Sequence, residues 1–258
     1  MNPILPISKE DKKKSYYKYF VEKMAPVDPL VNEQAAAARL TPEEVLMPDQ
    51  VNRLFEPGHL PGERGYCILP DGSAYMANRM FMPEVTPEMF DWWFTWHCLD
   101  PLRYKIWDPE DHLYAMTRNP EQARDPKLSW RERLWGTRHD ITEGFGAAPK
   151  DVVVPFIHPT ELGFDKEKYE AFPGTIIAMA AEDVRTVSLH FVRPVEGGVE
   201  LRSRFWFGWR LIDGKVVRGD DITYPEGLPK SLLLHNIKEF TNLARLLPRL
   251  FPEERDNF

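Results

Sequence analysis

The chain has 258 residues, a formal net charge of −7 and a pI near 5.6, with 43% hydrophobic and 28% charged residues. An acidic protein without a basic, aromatic-interleaved patch is unsuited to nucleic acid, which we exclude as a partner. Cys67 and Cys98 are too few for a disulfide framework. The N-terminal run KEDKKK lacks the apolar stretch of a signal peptide, and no apolar run reaches the ~18 residues of a membrane span. We therefore expect a cytoplasmic protein without a membrane partner.

The first 64 residues predict an N-terminal helical arm. The segments SYYKYFVEKM and VNEQAAAARL are typical of short helices, and Thr41 with Glu44 forms a capping-box pattern at a third. Six prolines between residues 26 and 61 separate these segments. Short helices with little core of their own must pack on another surface, so we expect the arm to cover the main domain or a second subunit.

From Gly65 the pattern changes to strands. The segments YCILP and SAYMANRMFM, joined by Asp71-Gly72, predict a β-hairpin. Thr86 and Pro87 then open a predicted helix, PEMFDWWFTWHCL. Its His97 lies among aromatic rings, where a histidine is more often packed and hydrogen-bonded than metal-bound.

The next segment, DPLRYKIWDPEDHLYAM, contains two prolines and predicts a loop with short turns. A loop that carries Tyr104, Trp107, Asp108 and His112 is a natural place for a binding site. The adjacent Asp111 does not automatically orient His112, because neighbouring side chains in most conformations point apart.

A second candidate region is WRERLWGTRHDITEGFG, which contains His139 and Glu143. Its glycines and β-branched residues favour an extended chain, in which residues four apart lie roughly 13 Å from each other. The two side chains then cannot bind one ion without a bend. We therefore take Glu143 as the candidate ligand and His139 as a structural or supporting residue.

Beyond Pro155, a loop and short helix precede three predicted strands: TIIAMAA, TVSLHFVRP and VELRSRFWFGWRLIDG. In the second of these, His190 alternates with Leu189 and Phe191, so it faces the interior if those two face away from the pocket. In the third, Trp206 and Phe205 lie on opposite faces, and the pattern does not indicate which face is internal.

The C-terminal stretch LPKSLLLHNIKEFTNLARLLPRLF predicts one amphipathic helix, with Pro248 at a position where a helix can stop. His235 and Glu239 stand four residues apart and share one of its faces. On a largely apolar face this pair needs a partner, and a metal ion is one candidate beside a salt bridge or a hydrogen-bonded pair. An antiparallel sheet followed by a long helix predicts an α+β fold in which a curved sheet surrounds that helix.

The motifs DPLRYKIWDPEDH, LWGTRHDITEGFG and HNIKEF resemble the phloretin hydrolase and 2,4-diacetylphloroglucinol hydrolase family. The resemblance covers most of the chain after about residue 65 and implies a helix-grip (Bet v 1-like) catalytic domain over 65–258, with 1–64 as an arm. It also implies a zinc enzyme that cleaves the carbon–carbon bond between an acyl group and a phenolic ring. The implied Zn²⁺ ligands are His112, Glu143, His235 and Glu239, although this ligand chemistry also suits iron or manganese.

The resemblance further implies that Tyr104 binds a ring hydroxyl and that His190, a residue type that titrates near neutrality, handles protons. Trp107 and Trp206 are the expected walls of an acylphenol site, and a homodimer is expected. Ala115 and the Phe205 region lack polar groups found in family members, which favours phloretin-like or longer-chain substrates. The alternatives are a non-catalytic helix-grip carrier of an aromatic ligand and a structural zinc protein.

Overall fold

The computed structural model describes residues 6–145, 148–181, 183–219 and 222–258. Eight antiparallel strands form one sheet in the order β1-β2-β8-β7-β6-β5-β4-β3. The strands are β1 Gly65–Ile68, β2 Ala74–Pro83, β3 His112–Thr117, β4 Arg138–Glu143, β5 Lys150–Ile157, β6 Thr175–Ala181, β7 Thr186–Val195 and β8 Gly198–Phe207. A separate hairpin consists of β9 Trp209–Ile212 and β10 Lys215–Arg218. The predicted hairpin around Asp71-Gly72 is confirmed as β1 and β2.

Eight α-helices surround the sheet within the described ranges. They are α1 Tyr17–Val21, α2 Pro29–Ala37, α3 Pro87–Trp96, α4 Pro101–Trp107, α5 Pro120–Arg124, α6 Trp130–Leu134, α7 Lys166–Ala171 and α8 Gly227–Glu254. Short 3-10 segments span Asp11–Lys13, Pro42–Glu44, Pro48–Phe55, His97–Leu99 and Pro159–Leu162. None of the described helices is both long and apolar enough to cross a membrane.

Helix α8 lies against one face of the sheet, which we call the inner face. Its Leu233 and Ile237 pack with Met76 of β2, and Phe240 contacts the ring of His190 on β7. Each such buried apolar side chain stabilises the fold by about 1.5–3 kcal/mol. A long C-terminal helix on an antiparallel sheet confirms the predicted helix-grip α+β class.

Helix α8 does not stop at Pro248, which corrects the expectation from sequence. Pro248 and Pro252 both lie inside the helix. A proline inside a helix removes one backbone hydrogen bond. Leu250 is fully buried beyond the first proline, and Phe251 packs edge-on against Trp92 at 5.3 Å. This packing offsets the lost backbone hydrogen bonds and keeps the last turns helical.

The predicted loop after residue 100 is largely regular structure. Asp100 caps α4 by accepting a hydrogen bond from the backbone N–H of Leu102 at 2.8 Å, and Pro101 occupies the first helical position. Strand β3 begins at His112, only five residues after the helix ends at Trp107. The short connection therefore holds its carboxylates, Asp108 and Asp111, close to the start of a strand.

The predicted long third strand is divided at Gly208. This glycine has a φ of +85°, a left-handed conformation that strongly favours glycine. Strand β8 therefore ends at Phe207, and the chain turns into the β9–β10 hairpin instead of extending the sheet.

The N-terminal segment packs on both faces of this domain. Tyr16 and Tyr19 join the cluster that includes the α3 tryptophans, and Ala35 packs near the start of α8. Val51 and Leu54 instead cover the outer face of the sheet. The arm thus contributes to the same core as the sheet.

Candidate active site

The centre of the site is formed by three side chains from α8 and β3. The Nε2 atoms of His112 and His235 lie 3.4 Å apart. The Oε2 atom of Glu239 lies 3.4 Å from His112 Nε2 and 3.8 Å from His235 Nε2. The four-residue spacing on α8 brings His235 and Glu239 to one face, as predicted, and the start of β3 supplies the third group.

Two edges of this triangle, at 3.4 Å, have the dimensions of a metal site, and the third is 3.8 Å. Ligand atoms at roughly 2.0–2.1 Å from a tetrahedral zinc ion lie roughly 3.3–3.4 Å from each other. Two imidazole Nε2 atoms and a carboxylate oxygen are also the donor types that zinc accepts. The residues present therefore fit a metal ion.

A second set of charged side chains lies behind His235. The Nδ1 atom of His235 is 3.2 Å from the Oδ2 atom of Asp111 and 3.7 Å from the Oδ2 atom of Asp108. Lys238 binds the same two carboxylates, with Nζ 2.5 Å from Asp111 and 2.9 Å from Asp108. A carboxylate at Nδ1 fixes the ring orientation and directs Nε2 toward the centre.

Asp108 is also close to the centre itself. Ligand atoms of Asp108, His112 and His235 all lie within 4.8 Å of one another, and all three side chains are buried. Because Asp108 faces the Nδ1 side of His235 and is paired with Lys238, we interpret it as an orienting residue. Asp111, adjacent to His112 in sequence, orients His235 instead.

Glu143 reaches the site from the neighbouring strand. It is directly opposite His112 in the β3–β4 register. Its Oε2 atom accepts a 2.7 Å hydrogen bond from the hydroxyl of Tyr104. The Tyr104 ring stacks on His112 with 4.0 Å between centroids and 2° between planes. Tyr104, His112 and Glu143 therefore form one packed unit.

The burial of these charged groups shifts their proton affinities. Burial, followed by the nearby charge of His235, holds the pKa of His112 well below its usual range. Burial also raises the pKa of Glu239 to about 8, and the charge of Glu143 adds to this shift. For His235 burial acts to lower the pKa, but Glu239 and Asp111 outweigh it and raise the value to about 9. A bound cation would favour the carboxylate forms of this set.

His190 faces the inner side of the sheet, as the alternation in β7 allowed. Its Nδ1 atom shares a 2.9 Å hydrogen bond with the Ser203 hydroxyl, and its ring contacts Phe94 and Phe240. Burial lowers the pKa of His190 to about 3. This imidazole is therefore neutral at pH 7, whereas an unperturbed histidine titrates near neutrality.

Trp107 lies at the centre of the aromatic interior. Its ring packs edge-on against His112 at 4.9 Å and against Phe240 at 5.2 Å. Its Nε1–H donates to the backbone carbonyl of Glu239 at 3.0 Å. Trp107 therefore links the His112–Glu239 centre to the rings around His190.

The structure does not bring Trp206 to this site. Its ring lies on the outer face of the sheet beside Tyr75, and its Nε1–H donates to the backbone carbonyl of Leu46 at 2.6 Å. The interior position next to it belongs to Phe205, which packs 5.8 Å from His190. Only the packing of α8 on one face decides which of two alternating residues faces inward.

The two other buried histidines have structural surroundings. His97 donates through Nδ1 to the carbonyl of Trp93 at 2.8 Å. His139 packs against Phe156 at 4.4 Å, and its Nε2 lies 3.3 Å from the hydroxyl of Thr137. Both agree with the packed roles expected from their contexts.

Sequence reasoning missed Lys238, Asn236 and the orienting role of Asp108. Lys238 lies one turn after His235 on α8, and Asn236 donates through Nδ2 to Glu239 Oε1 at 3.0 Å. The density of acidic residues in WDPEDH was the available signal for the orienting carboxylates. The sequence of α8 alone does not indicate the partners of Lys238 and Asn236, because those partners lie in the α4–β3 connection and in β2.

A large open groove of about 920 Å³ reaches His235 from outside. Its walls come from the segment before α2, from α8 and from the loop before β3. His235, Asp111, Lys238, Phe145 and Met24 are among the residues that line it. The groove therefore meets the site at His235 and at the Asp111 and Lys238 charges beside it.

The fold and these side chains together define a class: a helix-grip protein with a buried histidine–carboxylate centre that could hold a metal ion. A family model, the DAPG hydrolase PhiG domain, matches residues 46–252. The chain belongs to this family, which confirms the predicted resemblance.

Curated relatives match over nearly the whole chain. Phloretin hydrolase of Eubacterium ramulus is 36% identical over 267 residues, covering 98% of this chain and 94% of that protein. The 2,4-diacetylphloroglucinol hydrolase of Pseudomonas sp is 30% identical over 261 residues, covering 93% of this chain and 88% of that protein. These relatives are hydrolases by name, and this chain is a hydrolase.

Solved structures are similar at a lower level. Ara h 8.0201 has a TM-score of 0.41 and 10% identity, covering 68% of this chain and 98% of that chain. The AHSA1-like protein from Aeromonas hydrophila has a TM-score of 0.34 and 10% identity, covering 67% of this chain and 94% of that chain.

Proposed function

We propose that this protein is a zinc-dependent hydrolase of the carbon–carbon bond between an acyl group and a phloroglucinol-type ring. The substrate would be phloretin or a mono- or diacylphloroglucinol, and the products a carboxylic acid and a phenol. The observation that carries the proposal is the triangle of His112 Nε2, His235 Nε2 and Glu239 Oε2 at 3.4–3.8 Å. The names of the relatives support the substrate class.

The metal ion would be held by His112, Glu143, His235 and Glu239. When bound, zinc supplies a Lewis acid for the ketone oxygen and lowers the pKa of a water molecule. Asp111 and Asp108 support the site by orienting His235 through its Nδ1 atom. The same donors accept iron or manganese, so zinc in particular is a proposal supported by resemblance.

The reaction consumes one water molecule. Its oxygen adds to the carbonyl carbon, the bond from that carbon to the ring breaks, and the electron pair goes to the ring carbon. That carbon then takes up a proton, and the acyl group leaves as an acid. The residues of the chain must therefore bind the phenolic ring, hold the ketone in place and deliver a proton to carbon.

Tyr104 is suited to the first of these tasks. Its hydroxyl donates a hydrogen bond to Glu143 at 2.7 Å, and burial with the adjacent Glu143 charge holds the pKa of Tyr104 well above the usual range. It therefore remains a neutral hydroxyl, which can bind a ring hydroxyl of the substrate. Its stacking on His112 keeps the ring in place.

His190 is assigned to proton handling as a neutral imidazole. Because Nδ1 is engaged by the Ser203 hydroxyl, Nε2 is the atom that we assign to the substrate. A neutral imidazole both donates and accepts hydrogen bonds, so it can relay a proton without carrying a lasting charge. Trp107 and Phe205 would form the apolar walls, which favours a phloretin-like or longer-chain acyl group.

The test is turnover in ¹⁸O-labelled water. Zinc-loaded protein is incubated with phloretin, monoacetylphloroglucinol and 2,4-diacetylphloroglucinol, and the products are identified by mass. We expect the label in the carboxylic acid and none in the phenol. Protein treated with a chelator, and folded His112→Ala protein, should release no acid. Unchanged turnover in either control would contradict the zinc proposal, and binding without any product would indicate a carrier.

We propose that the protein acts as a homodimer in the cytoplasm. The buried free thiols of Cys67 and Cys98 are compatible with a reducing compartment. Light scattering coupled to size-exclusion chromatography tests the dimer, and a mass of one chain at micromolar concentration would contradict it.

A further inference from the structure

A line of hydrogen bonds runs from the edge of the sheet to the proposed metal site. Arg64 donates through Nε to Asn78 Oδ1 at 3.1 Å. Asn78 donates through Nδ2 to Asn236 Oδ1 at 3.0 Å, and Asn236 donates through Nδ2 to Glu239 Oε1 at 3.0 Å. We call these four residues the amide relay. It joins the end of the N-terminal arm, β2 and α8.

Arg64 sets the direction of every bond in the relay. A guanidinium has only donors, so the Asn78 atom that it contacts must be the oxygen. The Asn78 amide must then present its NH₂ group to Asn236, and Asn236 must present its own NH₂ group to the carboxylate. Arg64 also donates to the backbone carbonyl of Arg79 at 2.6 Å, which holds the guanidinium in place.

Burial of the relay's amide groups costs free energy that packing alone does not require. Asn78 and Asn236 are both fully buried, and a buried amide is favourable only when its hydrogen bonds are complete. Neighbouring positions on the same elements, Met76 and Ile237, dock α8 on β2 through apolar contacts. Apolar side chains at the two asparagine positions would dock the helix without that cost.

The last bond determines which oxygen of Glu239 faces the imidazoles. Asn236 engages Oε1, and Oε2 faces His112 Nε2 at 3.4 Å. We propose that Asn236 and Asn78 are positioning residues that restrict Glu239 to one metal-binding oxygen, with Arg64 setting the direction of the bonds. With Glu239 restricted to one oxygen, the four proposed ligands supply four donor atoms, and a catalytic role then needs a fifth position for water or substrate that a second Glu239 oxygen would otherwise take. This inference rests on the metal site proposed above.

The first test measures metal affinity in the full-length folded protein. Zn²⁺ binding to the parent chain and to Asn236→Leu is measured by competition with a chromophoric chelator. Loss of a supporting hydrogen bond typically weakens metal binding by about 10–100-fold, and we expect that range. Because both asparagines act through one line, Asn78→Leu combined with Asn236→Leu should be little worse than Asn236→Leu alone.

A spectroscopic readout separates positioning from general stability. Co²⁺ is substituted for zinc, and the visible absorption bands, which report coordination number, should change in Asn236→Leu. The matched control is Asn52→Ala, which removes an amide that donates to the Gly163 carbonyl at 2.8 Å and accepts from the Asp165 N–H at 2.7 Å, outside the site. That variant should lose stability and keep both the metal affinity and the Co²⁺ spectrum.

The direction of the bonds has its own test. Arg64→Met removes the donor, whereas Arg64→Glu offers Asn78 an acceptor and reverses both amides, which turns the Asn236 oxygen toward Glu239. We expect Arg64→Glu to bind Zn²⁺ more weakly than Arg64→Met does. If Asn236→Leu does not fold, Asn78→Ala replaces it in these measurements, because it removes the hydrogen bond that β2 donates to Asn236.

The relay is contradicted if the parent binds metal and turns over substrate while Asn236→Leu shows the same Co²⁺ spectrum and an affinity within about threefold of the parent. A parent chain that binds no metal would overturn the proposed function and the relay together. Metal binding by the parent chain therefore distinguishes a failure of the relay alone from a failure of the proposed function.

Discussion

The Nε2 atoms of His112 and His235 lie 3.4 Å apart, although the residues are 123 positions apart in the sequence. One belongs to the start of β3 and the other to α8, so the pair exists only when the helix is docked on the inner face of the sheet. Two imidazole nitrogens this close need a shared proton or a shared cation. The rest of the site, from Glu239 to the carboxylates behind His235, favours a cation.

The substitution Tyr104→Phe should separate the contribution of the Tyr104 hydroxyl to catalysis from that of its ring. The ring can still stack on His112, but Glu143 loses its 2.7 Å hydrogen bond. A hydrogen bond to a charged group contributes about 1.5–3 kcal/mol, so we expect kcat/KM to fall by about 10–100-fold. The control Tyr66→Phe loses a 2.9 Å bond to the Ala36 carbonyl and should retain activity. Equal activity of Tyr104→Phe and the parent would exclude a role for the hydroxyl.

The buried histidines His97 and His190, which are held neutral, should each make the fold less stable as the pH decreases. Burial lowers the pKa of His97 from 6.5 to about 4 and that of His190 from 6.5 to about 3. Below the unfolded value the unfolded chain binds protons that the folded chain does not. Each group then lowers the free energy of unfolding by about 1.4 kcal/mol per pH unit until its folded pKa is reached.

Urea unfolding at a series of pH values measures this dependence. The variant His190→Gln cannot take up the proton, so its free energy of unfolding should decline less steeply between about pH 6 and about pH 4 than that of the parent. Parallel pH profiles for the two proteins would show that His190 is not held neutral in the fold.

Glu63→Gln should be strongly destabilising. Glu63 pairs with both Arg202 and Arg204 on the outer face of the sheet, and both arginine side chains are almost fully buried. Removal of one partner from a buried ion network costs about 3–5 kcal/mol, because the remaining charges have no compensation. The midpoint of urea unfolding measures the loss. The surface pair of Lys166 and Glu170, at 3.8 Å, offers a control: Glu170→Gln should cost less than about 1 kcal/mol.

Removal of residues 1–64 should abolish folding of the remaining chain. Tyr19 belongs to the core cluster that includes α8, and Val51 and Leu54 cover the outer face of the sheet. Their loss would expose apolar surface on both faces, and such patches promote aggregation. Soluble yield and circular dichroism of 65–258 check this expectation. A soluble product with native-like secondary structure would show that the arm is dispensable for folding.

Local patterns in the sequence predicted much of the fold. The hairpin of β1 and β2, the Thr86-capped α3 and the long helix α8 all rest on turn residues, caps and periodicity within short windows. The placement of His235 and Glu239 on one helix face follows from helical geometry alone. The resemblance of three short motifs to a hydrolase family added the candidate ligands in β3 and β4.

Long-range packing decided what local patterns could not. Helix α8 continues through Pro248 because Leu250 and Phe251 are buried beyond it. That burial outweighs a local preference of a few kcal/mol. Helix α4 is a different case, because its Asp100 cap and Pro101 at the first helical position are local signals, although the two prolines of the segment suggested a loop.

The sequence by itself determined which residues alternate along each strand, and only the tertiary structure decided which set faces the site. Trp206 is the wall expected from the sequence, but α8 covers the opposite face of the sheet, which places Phe205 beside His190 and Trp206 beneath the N-terminal arm. Asp111 likewise became the partner of His235, far away in sequence, and not of the adjacent His112. The physical reason is that side-chain direction repeats locally, whereas burial depends on the surface that another part of the chain provides.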